Sequence, residues 1–419
     1  MTKRNPIEDL AHLRHEFGEH GGVNMSIEAS TTFTVMDPET MPEMFAGRKG
    51  PDKGCYLYGR HFNPTVYNLG RQIAAMEGTE AAYCTASGMA AISGAVLGVC
   101  RAGDEIVASN AIYGGSYALL NDFLPEKTGI STTFVDITDL DTVAEAITDR
   151  TRLLFTEGVS NPTLRLANVP KLAEIARRRG VCLMVDNTFS PLILRPAELG
   201  ADIVVHSITK FISGASDVIA GAICGTEEFI GQLMDLHVGP LMLLGPTMDP
   251  GIASDISLRI PHLPLRMAEH GKRAIELATR LDSLGLDVTY PGLQGHPDHD
   301  LFNQLRASEY GYGGVFTLDV GNADTANDLM SRLQNEQRFG YLAVSLGYFD
   351  TLMSCSGSST SSEMSDENQL AAGISPGLVR VSAGYTGTLR QRWSQFLAAL
   401  KDTGIVAEYP AEADESRSA

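Results

Sequence analysis

From about residue 64 onward, short runs rich in β-branched residues alternate with segments that repeat apolar residues at helical spacing. This alternation is typical of β-α-β units, in which helices join parallel strands and pack on the sheet. We predict strands at residues 81–84, 105–108, 132–135, 152–155, 181–185, 202–205 and 219–224. The run Val-Cys-Leu-Met-Val at 181–185 has no polar face, as expected of a strand covered on both sides. The chain is therefore predicted to form an α/β fold around a mostly parallel seven-stranded sheet.

The pattern changes after about residue 250. A long helical stretch at 265–284 is followed by a turn at 290–292 and by residues 310–320, which alternate like a half-exposed strand. We therefore expect a smaller C-terminal α+β domain. The predicted division is an N-terminal arm at 1–63 that contacts a neighbouring subunit, a large domain at 64–258 and a small domain at 259–419.

The charge of the chain limits its partners. It has 32 Lys+Arg against 51 Asp+Glu and a formal net charge of -19, so neither nucleic acid nor an anionic membrane is an expected partner. No apolar run approaches the roughly 18 residues that a membrane span needs. The 6 cysteines show no C-x-x-C spacing, which predicts reduced thiols and a cytoplasmic protein. No metal site is expected, because His296, Asp298 and His299 fall in a segment with the sequence of an irregular loop.

Lys210 is the first candidate for chemistry. It ends the sequence Ser207-Ile208-Thr209-Lys210, directly after the predicted strand at 202–205. Burial at the carboxyl end of a strand lowers the pKa of an amine, so that it can act as a nucleophile. A lone lysine at a strand end is most often a surface charge. The hydroxyl groups of Ser207 and Thr209 favour the functional interpretation, because they can donate to a phosphate beside the amine.

Two further segments follow predicted strands. Asp186 ends the most apolar one, and a carboxylate leaving such a strand is costly to bury unless it meets a cation, such as a protonated pyridine nitrogen. Taken alone, it could equally be a helix cap. Residues 85–90, Thr-Ala-Ser-Gly-Met-Ala, are predicted to form a strand-to-helix turn whose free backbone N–H groups can bind an anion. By itself this is an ordinary helix start.

Together these segments supply an amine nucleophile, a buried acid and two phosphate-binding devices. Pyridoxal 5'-phosphate needs these groups for its aldehyde, its ring nitrogen and its phosphate. Neither G-x-G-x-x-G after a strand nor G-x-x-x-x-G-K-[ST] is present, so binding of a dinucleotide or a nucleoside triphosphate lacks support. The sequence therefore predicts a pyridoxal-phosphate enzyme.

Motifs along nearly the whole chain, from about residue 21 to residue 400, resemble those of the trans-sulfuration, or Cys/Met metabolism, family of pyridoxal-phosphate enzymes. They are YGRHFNPT (58–65), ASGMAA (86–91), YGGS (113–116), NP (161–162), VDNTF (185–189), SITKFISG (207–214), SLG (345–347) and GLVRVSAG (377–384). Within the family, residues 15–30, 241–250 and 345–363 are most similar to the plant-type methionine gamma-lyase branch. The resemblance implies the pyridoxal-phosphate-dependent transferase fold of type I.

The resemblance also implies roles for individual residues. Lys210 would be the Schiff-base lysine and proton shuttle, Asp186 would pair with the pyridine nitrogen, and Tyr113 would stack on the ring and protonate the leaving sulfur. The phosphate would be held by Gly88, Met89, Ser207 and Thr209, joined by Tyr58 and Arg60 from the neighbouring subunit. The substrate carboxylate would bind Arg380, assisted by Ser345 and Asn161. The planar guanidinium of Arg380 suits that role because it can bond both carboxylate oxygens.

The implied activity is γ-elimination of L-methionine to methanethiol, 2-oxobutyrate and ammonia, by a homotetramer built as a dimer of dimers. Alternatives within the family are cystathionine gamma-lyase and O-acetylhomoserine sulfhydrylase. A remote alternative is a non-catalytic member, against which the intact Lys210, Asp186, Tyr113 and Arg380 count. Gly115 replaces a cysteine of many bacterial family members, and it weakens any transfer of their substrate preference.

Overall fold

The computed structural model describes residues 5–13, 18, 20–355, 367, 369 and 373–406. Helices α1 (Pro6–His12), α2 (Thr40–Phe45) and α3 (Pro64–Glu77) precede the larger sheet. The strands of that sheet are β1 (Ala81–Thr85), β2 (Glu105–Ser109), β3 (Ser131–Val135), β4 (Thr151–Glu157), β5 (Cys182–Asp186), β6 (Ile203–His206) and β7 (Gly221–Gly225).

Between these strands lie α4 (Gly88–Val99), α5 (Gly114–Ala118), α6 (Leu124–Thr128), α7 (Leu140–Ala146) and α8 (Val169–Arg179), with a π-helical turn at Leu119–Phe123. Helices α9 (Glu227–Leu233), α10 (Pro240–Leu244) and α11 (Pro250–Arg259) follow β7. Sequence signals at the helix ends act as expected: Asn168 caps α8, Pro170 lies in its first turn, and Gly180 ends it with φ 66°.

The larger sheet has the order β1-β7-β6-β5-β4-β2-β3. Strands β2 to β6 pair in parallel, whereas β7 runs antiparallel to both β1 and β6. All seven predicted strands are present, and the prediction of a mostly parallel α/β fold is confirmed. The largest differences are two residues, as in β4, which continues from the predicted end at Phe155 to Glu157.

Both faces of the sheet are covered. In β5, Met184 packs into one buried cluster, and Leu183 and Val185 pack into another on the opposite face. All three side chains are inaccessible to solvent. Polar groups at the carboxyl ends of the central strands therefore emerge from an apolar interior, where catalytic sites of α/β sheets form.

A second sheet follows in the order β10-β11-β12-β9-β8. Its strands are β8 (Asp287–Thr289), β9 (Val315–Asp319), β10 (Tyr341–Leu342), β11 (Leu352–Cys355) and β12 (Leu378–Ser382). The accompanying helices are α12 (Leu263–Ser283), α13 (His299–Leu305), α14 (Ala323–Asn335) and α15 (Leu389–Asp402). The predicted long helix thus lies within two residues of its expected position, and the division of the chain at residues 64 and 259 stays a prediction.

The prediction that residues 310–320 form a half-exposed strand is wrong. The strand spans only Val315–Asp319, and its first four residues are buried. Val315 packs into the cluster that reaches the larger sheet, whereas Phe316 and Leu318 pack against the helices of the small domain. The alternating residues of this strand therefore face two different apolar clusters, and the alternation does not mark a solvent-exposed face.

No helix of the described residues is long and apolar enough to cross a membrane.

Candidate active site

The carboxyl ends of three neighbouring strands carry polar side chains into one region. In the β4–β5 ladder Glu157 pairs in register with Asp186, and in the β5–β6 ladder Asp186 pairs with Val205. The chain then leaves β6 through residues 207–210 and reaches Lys210. The parallel arrangement thus gathers side chains that lie far apart in the sequence.

Lys210 contacts the segment between β10 and β11. Its Nζ donates to Ser345 Oγ at 2.9 Å, which joins the turn after β6 to that segment. Burial, together with the positive charge of Arg380, lowers the pKa of Lys210 to about 8. Ser345 has φ 95°, a left-handed conformation that is strained for a residue with a side chain. This backbone conformation presents its hydroxyl group to Lys210 and, as described next, its carbonyl group to Arg380.

Arg380, in the middle of β12, is 2% exposed. Its Nη1 donates to Asn161 Oδ1 at 2.9 Å, and its Nη2 donates to Ser345 O at 3.0 Å. Burial lowers the pKa of Arg380 to about 10, so the guanidinium still carries its charge at neutral pH. The three residues predicted to bind the substrate carboxylate are therefore in contact with one another.

Asp186 is 8% exposed and has no salt bridge within the part of the chain that the structure describes. Burial raises the pKa of Asp186, while hydrogen bonds from Thr188 lower it, one of them from the Thr188 N–H at 2.9 Å. Thr188 Oγ1 also accepts from the Ser207 N–H at 2.8 Å and links the acid to the lysine-bearing turn. A buried carboxylate with this need for a cation fits a protonated pyridine nitrogen.

The predicted phosphate-binding turn at residues 85–90 lies close to the turn that carries Ser207. Ser87 caps α4 by accepting from the Ala90 N–H at 3.1 Å, which leaves the N–H groups of Gly88 and Met89 in the first turn. A Cβ at position 88 would lie 2.7 Å from Ser207 Cβ, so the close approach of the two turns requires glycine. The resulting cradle, with Ser207 against a helix N-terminus, fits a phosphate group.

Thr209 is placed differently from the other predicted phosphate residues. Its Oγ1 donates to Ala220 O at 3.1 Å and accepts from the Ala220 N–H at 2.9 Å. The hydroxyl proton of Thr209 is therefore already engaged by the backbone of the strand that follows. Its contact with a phosphate stays a prediction.

Tyr113 is 41% exposed and precedes α5. A Cβ at position 115 would lie 2.6 Å from Cε1 of the Tyr113 ring. The absence of a side chain at Gly115 therefore leaves room for the ring to fold back over α5. A cysteine, as in the bacterial relatives discussed above, would have to displace it.

Tyr58 and Arg60 line a cleft that does not include Lys210. Arg60 Nη1 donates to Met242 O at 2.8 Å, and Tyr58 is 47% exposed. Both line a cleft of about 1140 Å³ whose lining includes neither Lys210 nor Asp186. A shared site would require a second copy of the chain to supply these two residues.

Glu157 is a site residue that sequence reasoning missed. It is 6% exposed, accepts from the Tyr113 N–H through Oε1 at 2.8 Å, and accepts from the Asn161 N–H through Oε2 at 2.8 Å. The available signal was an acid just beyond an apolar strand, as for Asp186. It went unused because the predicted strand stopped at Phe155.

Among the described residues, no group of three or more His, Cys, Asp or Glu side chains could hold a metal ion. In the segment with metal-ligand residue types, Asp298 forms a salt bridge with Arg165 at 2.7 Å. His299 Nδ1 lies 2.9 Å from Pro291 O.

Comparisons with known proteins show the family of the chain. A family model described as Cys/Met metabolism PLP-dependent enzyme matches residues 10–388. The chain is 58% identical over 393 residues to a methionine gamma-lyase of Arabidopsis thaliana, which covers 94% of this chain and 89% of the relative. It is 35% identical to an L-methionine gamma-lyase of Fusobacterium nucleatum subsp. polymorphum, over 87% of this chain and 90% of the relative.

A solved structure has the same fold. It is a protein from Campylobacter jejuni, described as an O-acetylhomoserine (thiol)-lyase, whose crystal structure contains a pyridoxyl-lysine 5'-monophosphate. The TM-score is 0.87 at 25% identity, over 95% of this chain and 100% of that chain. With a buried acid, a phosphate cradle and a lysine of lowered pKa all at one edge of the sheet, the chain belongs to the Cys/Met metabolism family of pyridoxal-phosphate-dependent enzymes.

Proposed function

We propose that the protein is a methionine gamma-lyase, which converts L-methionine to methanethiol, 2-oxobutyrate and ammonia. The observation that favours methionine as the substrate is a mainly apolar cavity beside Ser345. A cavity of about 760 Å³ is lined there mainly by apolar residues, such as Ile219, Leu342 and Val344, with Ser216 and Gln334 among its polar ones. Its acidic residue, Asp217, is already paired with Arg259 at 2.6 Å. Such a lining suits an uncharged thioether better than the second amino-acid end of cystathionine.

Arg380 and its partners bind the α-carboxylate. The guanidinium holds two of its five N–H groups on Asn161 and Ser345, which fixes its plane and leaves the rest for the substrate. Because Ser345 also contacts Lys210, a carboxylate held by Arg380 brings the substrate Cα close to Nζ of Lys210.

Pyridoxal phosphate, when bound, supplies an electron sink for the negative charge that develops at the substrate's α and β carbons. Gly88, Met89, Ser207 and Thr209 would hold its phosphate, and Asp186 would keep its ring nitrogen protonated. Tyr58 and Arg60 of a neighbouring subunit would complete the phosphate site.

The chain's own groups move the protons. Lys210, with its lowered pKa, would hold the cofactor's aldehyde carbon and, as a free amine, would take the proton from the substrate Cα. It next assists removal of a Cβ proton. The Tyr113 hydroxyl protonates the γ-sulfur as it leaves. Each of these steps needs a titratable group close to neutrality, which burial provides for the amine.

The catalytic unit is a homodimer, and two dimers form a tetramer. The support is that the cleft lined by Tyr58 and Arg60 does not include Lys210, together with exposed apolar side chains such as Val238, which is 79% exposed, and Leu244, which is 70% exposed. All 6 cysteines are unpaired, which suits a reducing, cytoplasmic compartment. The arm, large domain and small domain divide at residues 64 and 259.

Parallel assays test the substrate. Purified holoenzyme is given methionine, cystathionine, or O-acetylhomoserine with sulfide, each at several concentrations, and kcat/KM is compared. We expect the highest value for methionine. A higher value for cystathionine would identify a cystathionine gamma-lyase, and homocysteine formation from O-acetylhomoserine as the fastest reaction would identify a sulfhydrylase.

A further inference from the structure

Glu157 occupies a junction between two parts of the site. One carboxylate oxygen holds the backbone of Tyr113, and the other holds the backbone of Asn161, each at 2.8 Å. Asn161 in turn accepts a hydrogen bond from Arg380 at 2.9 Å. A single side chain therefore ties the segment before α5 to the group that holds the guanidinium.

Burial of a second carboxylate at this place is costly. Glu157 lies opposite Asp186 in the β4–β5 register, and both side chains are less than a tenth exposed. Desolvation and the charge of Asp186 raise the pKa of Glu157 to about 8, and the two N–H donors and Arg380 oppose this rise by stabilising the carboxylate form. An apolar residue would avoid this cost, so the contacts that Glu157 makes have to account for its presence.

We propose that Glu157 is a positioning residue that holds Tyr113 and Asn161 in one fixed geometry, so that the ring-facing tyrosine and the carboxylate-binding arginine act as a unit. This inference rests on the proposed function, because it assigns Tyr113 and Arg380 to the two ends of the same substrate.

The choice of residue follows from the hydrogen-bond donors. Two backbone N–H groups point at Glu157, and a carboxylate offers an acceptor to each of them. Glutamine offers one acceptor, and its NH2 group would face the second N–H. Glu157→Gln therefore keeps the size of the side chain and breaks one of the two contacts. Aspartate keeps both acceptors on a side chain that is shorter by one methylene.

The control is Glu105→Gln. Glu105 is a 7% exposed glutamate of β2 in the same sheet, and it also accepts two hydrogen bonds, from Thr133 Oγ1 at 2.9 Å and Thr148 Oγ1 at 2.7 Å. It begins its strand, whereas Glu157 ends β4, so the two residues lie at opposite edges of the sheet. A general effect of losing a buried carboxylate appears in both variants, and a positioning effect appears only at Glu157.

The experiment measures turnover of methionine and two binding properties that do not depend on turnover. We expect Glu157→Gln to lower kcat/KM for methionine by about 10-fold to 100-fold, with KM raised and kcat lowered together, because small misplacements of reacting groups have effects of this size. The visible circular dichroism of the bound cofactor should change, and the affinity for norleucine, which cannot eliminate, should fall. Glu105→Gln should leave all three unchanged at equal cofactor content.

Two results would overturn the proposal: a Glu157→Gln enzyme with wild-type circular dichroism and norleucine affinity, or equal losses in the two glutamine variants. If Glu157→Gln does not fold, Glu157→Asp replaces it, with partial loss expected and wild-type behaviour contradictory. If the wild-type enzyme does not act on methionine, the proposed substrate fails, and the two measurements without turnover still decide the role of Glu157.

Discussion

Replacing Arg380 should weaken recognition of the substrate carboxylate specifically. The guanidinium is 2% exposed and uses two of its five N–H groups within the protein, so three remain for a bound carboxylate. Truncating one partner of such a buried charge pair costs about 2–5 kcal/mol. At about 1.4 kcal/mol per factor of ten, Arg380→Ala should weaken binding roughly 30-fold to 4000-fold. Arg380→Lys, which keeps the charge and loses the planar fork, should weaken it less.

The assay is a titration of the cofactor's visible spectrum with two ligands that cannot eliminate. Norleucine has the α-carboxylate and the length of methionine, and pentylamine is the same molecule without the carboxylate. The wild-type enzyme should prefer norleucine strongly, and the Arg380→Ala enzyme should bind both with similar affinity. Arg280→Ala, which removes an arginine paired with Glu276 on α12, serves as the control for loss of a positive charge.

Comparing norleucine with pentylamine separates the loss of the carboxylate contact from general damage to the site. If Arg380→Ala weakened norleucine and pentylamine by the same factor, the loss would come from disturbed Asn161 and Ser345 and not from the missing carboxylate contact. Unchanged norleucine affinity would place the carboxylate elsewhere. Either result would refute the assignment of Arg380.

Three further predictions concern Lys210, Arg60 and Gly115. Lys210→Ala should abolish turnover with an unchanged melting temperature, and residual lyase activity would contradict this. Because burial lowers the pKa of Lys210 to about 8, cofactor capture by the wild-type apoenzyme should accelerate between pH 7 and pH 9 as the amine loses its proton, and a flat pH profile would contradict this. Mixing Arg60→Ala with Lys210→Ala subunits should restore activity, since a hybrid dimer contains one intact site, and no recovery after proven subunit exchange would exclude a shared site. Gly115→Ala should displace the Tyr113 ring, because its Cβ would lie 2.6 Å from Cε1, and so lower kcat with little change in melting temperature; an unaltered kcat would contradict this role for the ring.

The periodic parts of the fold were predictable from the sequence. Strands such as β5, which is apolar up to its last residue Asp186, have no polar face, so both their position and their burial could be predicted. Alternation in residues 310–320 misled because it does not reveal what covers each face, and here Val315 and Phe316 meet two different apolar clusters.

The site was predictable where a residue ends a strand or belongs to a motif. Asp186 ends β5, Lys210 follows β6, and Arg380 belongs to the motif at 377–384. Glu157 was missed because the predicted strand stopped two residues short of it, and its two backbone N–H partners leave no further pattern in the sequence. The prediction that Tyr58 and Arg60 act from the neighbouring subunit came from the family resemblance alone, because residue patterns within one chain do not show how two chains meet.

The most direct test of the account is to incubate the pyridoxal-phosphate-loaded enzyme with L-methionine and follow 2-oxobutyrate and methanethiol in the same sample. We expect both products to appear at equal rates, and neither to appear with the Lys210→Ala enzyme. A change in the cofactor's visible spectrum without either product would show that methionine binds but is not cleaved, and would contradict the proposed gamma-lyase activity.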